Sequence, residues 1–173
     1  PMSRGLGDVY KRQIQRMVTA VGDMPVQVGG GVRNIETIDA YLQAGVDRVI
    51  VGTKAIEEPE FLVQAAERFP NHIVLGLDAR DGAVATHGWD ADSGISAIDL
   101  ACQAAQLPIA GIVYTDIERD GMMSGVNVEA TVALAQGAGV GVIASGGIAH
   151  LDDVQRLKDL SLIHISEPTR HRR

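Results

Sequence analysis

In the stretch Ile112-Val-Tyr-Thr-Asp-Ile-Glu-Arg-Asp-Gly121, an apolar strand runs out into a loop carrying three acids, an arginine and a hydroxyl. Isoleucine, valine and tyrosine suit a packed, pleated strand, so the polar residues crowded past its C-terminal end face whatever binds there. Taken alone, the stretch also fits a solvated loop closed by an Asp-Gly turn. A second copy of the pattern favours a binding role. Leu75-Gly-Leu-Asp-Ala-Arg-Asp-Gly82 ends another apolar strand on Asp78 and then on a second Asp-Gly.

Outward from these two stretches, short β-rich runs alternate with segments of helical spacing. Pro25 to Val28 reads as a strand that breaks on Gly29-Gly-Gly31, after which Asn34 can cap a helix with apolar positions Ile35, Ile38, Leu42 and Val46. Asp47 to Val51 is the next strand, ending on Gly52-Thr53, and Phe61, Leu62, Ala65, Ala66 and Phe69 mark one face of a following helix. His72 to Leu77 is a strand, Asp78 to Ser93 is expected to be a long irregular segment, and Ala97 to Leu107 is a helix. Ile109 to Tyr114 and Val140 to Ala144 complete the strands, with a helix capped by Asn127 between them and another from Leu151. Five strands alternating with five or six helices imply parallel pairing through crossovers. An open doubly wound sheet and a piece of an eight-stranded barrel both fit. Polar or small residues at every strand end favour the barrel, whose sites are built on that rim. Val26-Gln-Val-Gly-Gly-Gly-Val-Arg-Asn-Ile and Val142-Ile-Ala-Ser-Gly-Gly-Ile-Ala-His-Leu echo one another, as in a duplicated half-barrel.

Composition narrows the setting. The 173 residues are 46% hydrophobic and 21% charged, the balance of a soluble globular domain. No apolar run reaches the roughly 20 residues of a membrane span. The single cysteine, Cys102, agrees with a reducing cytoplasm. A net charge of −7 argues against a nucleic-acid surface, so any anion must be held locally, by backbone amides. Residues 1–13 and 161–173 differ from the middle and resemble translated sequencing-adapter sequence. Each carries three basic residues against one acid, which leaves residues 14–160, the expected barrel portion, at −11.

Gly29 to Gly31 and Ser145 to Gly147 have the composition of phosphate cradles, where glycine lets the chain approach an anion at a helix start. Gly52-Thr53 would add an amide and a hydroxyl to the first. Two matched turns suggest a ligand with two phosphates. Asp78 and Asp120 could form a carboxylate pair for acid-base work, although either could simply cap a turn. Lys54 is a phosphate contact or a solvated lysine. Trp89 is a plug for its loop or a stacking surface. No spacing among the histidines suggests a metal site.

Together, Val28-Gly-Gly-Gly-Val-Arg33, Val51-Gly-Thr-Lys54, Gly76-Leu-Asp-Ala-Arg-Asp-Gly82, Gly88-Trp89, Tyr114-Thr-Asp-Ile-Glu-Arg-Asp-Gly121 and Ala144-Ser-Gly-Gly-Ile148 resemble the phosphoribosylformimino-aminoimidazole carboxamide ribotide isomerases of histidine biosynthesis. The resemblance implies an α/β fold, a partial (β/α)8 TIM barrel of the phosphate-binding type holding strands three to seven of eight. It implies a metal-free, cofactor-free Amadori rearrangement of an aminoaldose to an aminoketose on a small molecule with a phosphate at each end. Asp120 then corresponds to the general acid, and Asp78 and Thr115 to residues that orient the sugar. Gly30, Gly31, Arg33, Gly52 and Thr53 correspond to one phosphate site, Gly146 and Gly147 to part of the other, and Trp89 to a cover over the substrate. The family's first strand, with its general-base aspartate, its second and its eighth have no counterpart in this sequence, so the chain itself is expected to be inactive. A cytoplasmic, monomeric parent that binds neither membrane nor nucleic acid is the matching expectation. The sister cyclase of the pathway, a dual-substrate isomerase that also serves tryptophan synthesis, and a non-catalytic phosphate-binding fragment are the alternatives.

Overall fold

The computed structural model describes residues 3–86, 91–122 and 125–159. In chain order the elements are α1 (Ser3–Val21), β1 (Gln27–Gly29), α2 (Ile35–Gln43), β2 (Arg48–Val51), α3 (Thr53–Glu57), α4 (Pro59–Arg68), β3 (Ile73–Arg80), β4 (Ala83–Thr86), β5 (Ala91–Ser96), α5 (Ala97–Ala104), β6 (Gly111–Asp116), α6 (Val128–Ala138), β7 (Val142–Ser145) and α7 (Leu151–Asp159).

The helices start where local chemistry satisfies their free amides. Asn34 Oδ1 accepts from Thr37 N at 2.8 Å, Ser96 Oγ from Asp99 N at 3.3 Å, and Asn127 Oδ1 from Ala130 N at 3.1 Å. Pro59 opens α4, where its missing N–H is no loss. Gly139 ends α6 in the left-handed conformation that a side chain would resist.

Five strands run parallel in the order β1-β2-β3-β6-β7, as the alternation in the sequence implies. This is the sheet of a partial (β/α)8 barrel. Among the described residues β1 and β7 have one neighbour each and do not close on one another. Registers align Ile50 with Val74, Gly76 with Val113, and Asp78 with Thr115 and then Ser145, so each row of side chains lies at one level of the inner face. The other face carries Val49, Val51, Ile73, Leu75, Leu77, Ile112 and Val142, all buried under the helices. Each such side chain contributes roughly 1.5–3 kcal/mol through burial, which makes this helix-covered face the main source of cohesion.

Two expectations change. Asp78 to Ser93 is not simply irregular: β3 continues to Arg80, and β4 and β5 return as an antiparallel arm. Asp81 and Gly82 both have positive φ, 49° and 78°, the geometry of a two-residue hairpin turn. Thr53–Glu57 is also a short helix of its own ahead of α4. At the N-terminal side, α1 passes from residue 13 to residue 14 without a break. Residues 160–173, with the whole of the basic tail, lie outside the described residues. No helix among the described residues is long and apolar enough to cross a membrane.

Candidate active site at the strand ends

A cleft of about 750 Å³ opens at the C-terminal ends of β1, β2 and β3. Gly30, Gly31, Arg33, Gly52, Thr53 and Asp78 line its walls, and Ile50, Gly76 and Val113 its floor. Six of the residues expected at a site are thereby brought together. Gly30 and Gly31 have φ of +100° and +67°, and among the described residues no atom beyond the adjoining residues lies within 4 Å of where a Cβ would stand on either. Their conformation needs glycine, and their backbone faces open space in which an anion could approach. They lead directly into Arg33 and the start of α2, where the amides of a first helical turn favour negative charge. Lys54 also lines the cleft and pairs with Glu58, one helical turn on.

Asp78 borders the cleft from β3, and its register neighbour on β6 is Thr115, which is buried. Asp120 lies further out, exposed in the turn after β6, and is not among the residues that line the cleft. Its backbone N–H donates to Asp116 O at 3.0 Å.

The second glycine pair is built differently from the first. A Cβ at Gly146 would stand 2.8 Å from Asp116 O, and one at Gly147 would stand 2.6 Å from Gly125 O and 2.9 Å from Arg119 Cβ. Gly125 N also donates to Gly147 O at 3.0 Å. Close packing against the loop after β6 therefore requires these two glycines, whereas none of the described residues beyond the adjoining ones comes within 4 Å of a Cβ at Gly30 or Gly31.

That loop is tied at its base by Asp116 and Arg119, whose pairing the sequence reading did not anticipate, and by Asn127, which it read only as a helix cap. The carboxylate of buried Asp116 accepts from Asn127 Nδ2 at 2.6 Å and from Glu118 N at 3.1 Å, and Arg119 Nε lies 3.8 Å away. Arg119 Nη1 donates to the carbonyls of Gly125 and Val126, at 3.3 Å each. The signal was present, because an Asp and an Arg three apart at a strand end, followed by a helix-capping Asn, supply matched donors and acceptors. Past the glycines, Asp153 closes the next turn: its Oδ2 accepts from Ala149 N at 3.0 Å and His150 N at 3.1 Å. Those two bonds, the Ala149 one foremost, hold its carboxyl below the usual aspartate range. Burial, and then the charge of Asp116, pushes the Tyr114 phenol above its ordinary value, so it stays neutral.

Trp89 and its neighbour His87 fall outside the described residues. Among the described residues no group of three or more His, Cys, Asp or Glu is placed to hold a metal ion. The constellation that results can grip an anion by amides beside a carboxylate and a hydroxyl, with a second carboxylate on an adjoining loop.

Comparison with known proteins adds relatives. Residues 7–164 match the family described as histidine biosynthesis protein. A protein of Acinetobacter baylyi named 1-(5-phosphoribosyl)-5-((5-phosphoribosylamino)methylideneamino)imidazole-4-carboxamide isomerase is 53% identical over 150 residues, covering 87% of this chain and 62% of that protein. A protein of the same name from Marinobacter nauticus is 57% identical over 135 residues, 78% of this chain and 55% of its own length. The chain thus spans about three-fifths of the length of these curated relatives.

Proposed function

The chain belongs to the histidine biosynthesis protein family, and from that premise we propose that it carries the central part of an aldose-ketose isomerase barrel acting on a bis-phosphorylated aminoimidazole carboxamide ribotide. The observation that carries this is the open cleft lined by Gly30, Gly31, Gly52, Thr53 and Asp78, with Gly30 and Gly31 in conformations that need glycine. Its relatives named above are isomerases, which favours this over the cyclase.

In the proposed reaction, one phosphate of the substrate rests on the glycine amides, with Arg33 supplying charge, and Gly146 and Gly147 contribute to the far phosphate. Asp120 acts as the acid that protonates the ring oxygen as the ribose opens. Asp78 and Thr115, neighbours in register, orient the sugar hydroxyls. A base must then remove the proton from the sugar carbon next to the one bearing nitrogen, and it must come within hydrogen-bond reach. Asp78 and Glu57 are the carboxylates that line the cleft; Glu57 stands on the helix after β2, and the half-turn symmetry of a duplicated barrel would put Asp78 across the rim from that proton. We therefore assign the base to a strand beyond the five parallel strands seen here. The barrel portion is residues 14–160, with 1–13 and 161–173 outside it. The same proposal places the reaction in the cytoplasm, in a monomeric full-length form that uses neither metal nor cofactor and binds neither nucleic acid nor membrane, with Trp89 covering the substrate.

The test is an isomerase assay of this chain beside a chain extended to the full length of its relatives, with Asp120→Asn in the extended form. Turnover is expected only in the extended chain and should fall by about 10²- to 10⁴-fold in Asp120→Asn. Comparable turnover by the 173 residues alone would remove the assignment of the base, and an unaffected Asp120→Asn would remove the assignment of the acid.

A further inference from the structure

On β6, alternate residues face opposite sides of the sheet: Val113 lines the cleft described above, whereas Tyr114 lines a second one of about 420 Å³ on the helix-covered side. This second cleft lies between the hairpin turn at Asp81 and Gly82, the loop residues Asp116, Glu118 and Arg119, and the start of α6 at Asn127. Tyr114 is only 3% exposed, and its hydroxyl has no hydrogen-bond partner among the described residues. No fully enclosed side-chain polar atom among those residues lacks a partner, so this hydroxyl is left facing the cleft.

The polar inventory selects the occupant. The donors are largely committed, because Arg119 reaches the Gly125 and Val126 carbonyls and the Asn127 amide donates to Asp116. Acceptors remain. Asp116 takes one bond on each oxygen and keeps further lone pairs, while the carboxylates of Asp81 and Glu118 make no hydrogen bond among the described residues. Three carboxylates face one guanidinium, a balance that disfavours an anion. The described acids do not converge as metal ligands would. We propose that this cleft binds a small molecule through a protonated nitrogen, an ammonium or guanidinium group, with Tyr114, Asp81, Asp116 and Glu118 as its acceptors.

The probes are ethylammonium chloride and, well below denaturing concentration, guanidinium chloride. They are titrated into the whole chain against sodium chloride, tetramethylammonium chloride and sodium phosphate at matched ionic strength, followed by amide and Tyr114 ring shifts. Saturable shifts at Gly82, Glu118, Ala130 and the Tyr114 ring are expected with the two N–H donors alone. Tyr114→Phe, which keeps the ring, and the pair Asp81→Asn with Glu118→Gln, both in exposed turns, should each weaken binding on the order of tenfold. Equal shifts with sodium or tetramethylammonium, a preference for phosphate, or affinity unchanged in both variants would overturn the proposal. Should a variant unfold, the comparison of salts on the unaltered chain still decides between these outcomes.

Discussion

The side-chain amide of Asn127 donates to Asp116 Oδ2 at 2.6 Å, closing the base of the loop that carries Asp120. Asp116 ends a strand and Asn127 caps a helix, so this bond ties the end of β6 to the start of α6. Arg119 braces the same span from inside by donating to Gly125 and Val126. Asp120 is thus presented by a braced turn, although it is itself exposed.

Arg119→Met should loosen that brace while keeping much of the aliphatic stem. Losing two charge-assisted bonds to carbonyls is expected to lower stability by about 1–2 kcal/mol, measured by urea unfolding. Faster hydrogen exchange at the Gly125 amide should accompany it. Unchanged exchange there would show that Arg119 does not hold the loop.

Inorganic phosphate should perturb the amides of Gly30, Gly31, Gly52 and Thr53 at lower concentration than those of Gly146 and Gly147. The first group lies open around one cleft, whereas the second is packed against Gly125 and Arg119. An amide-shift titration checks the ranking, and an equal or stronger response at Gly146 and Gly147 would contradict it.

The two glycine pairs should also differ in what alanine does to them. Gly30→Ala forces a side chain onto a positive φ but meets none of the described residues beyond the adjoining ones, so a loss of about 1 kcal/mol is expected. Gly146→Ala adds a clash 2.8 Å from the Asp116 carbonyl to the same strain, and about 3 kcal/mol is expected. Phosphate binding should report the opposite order, weakened by Gly30→Ala more than by Gly146→Ala. Thermal unfolding and the phosphate titration together separate the roles.

Acid should release the turn after β7. Because the folded carboxyl of Asp153 is held below its unfolded value of about 3.9, its bonds to Ala149 and His150 contribute fully above that pH. The contribution fades as pH falls through the lower folded value. Asp153→Asn should remove this acid-side loss at the Ala149 and His150 amides, read by exchange against pH. An identical acid profile in the variant would show that other groups govern the turn.

The parallel strands and their order were legible because each is a run of β-branched residues ending on a glycine or a polar residue, and each helix after them carries its own cap or apolar spacing. The arm of β4 and β5 was not. Ala83-Val-Ala-Thr86 is short and poor in bulky residues, and its pairing comes from Asp81-Gly82 turning the chain back onto β3. The Asp-Gly pair was visible as a turn, but its left-handed φ values, which make it a hairpin, belong to the folded backbone. Gly30-Gly31 and Gly146-Gly147 likewise look alike in sequence. What separates them is the distance to Gly125 and Asp116, a tertiary contact that composition does not carry.

β3 pairs with β2 and β6 on its two sides and turns its far end back through β4. β1, by contrast, is a three-residue strand with one neighbour among the described residues. Deuterium entering such a sheet would reach the rim strands early and the amides of Leu75 and Leu77 last. Asp78 therefore stands on a strand expected to open late, whereas Gly30 and Gly31 follow an edge strand expected to open early. An anion seated on those two glycines would bind only the closed edge, and so would lengthen the lifetime of β1 itself.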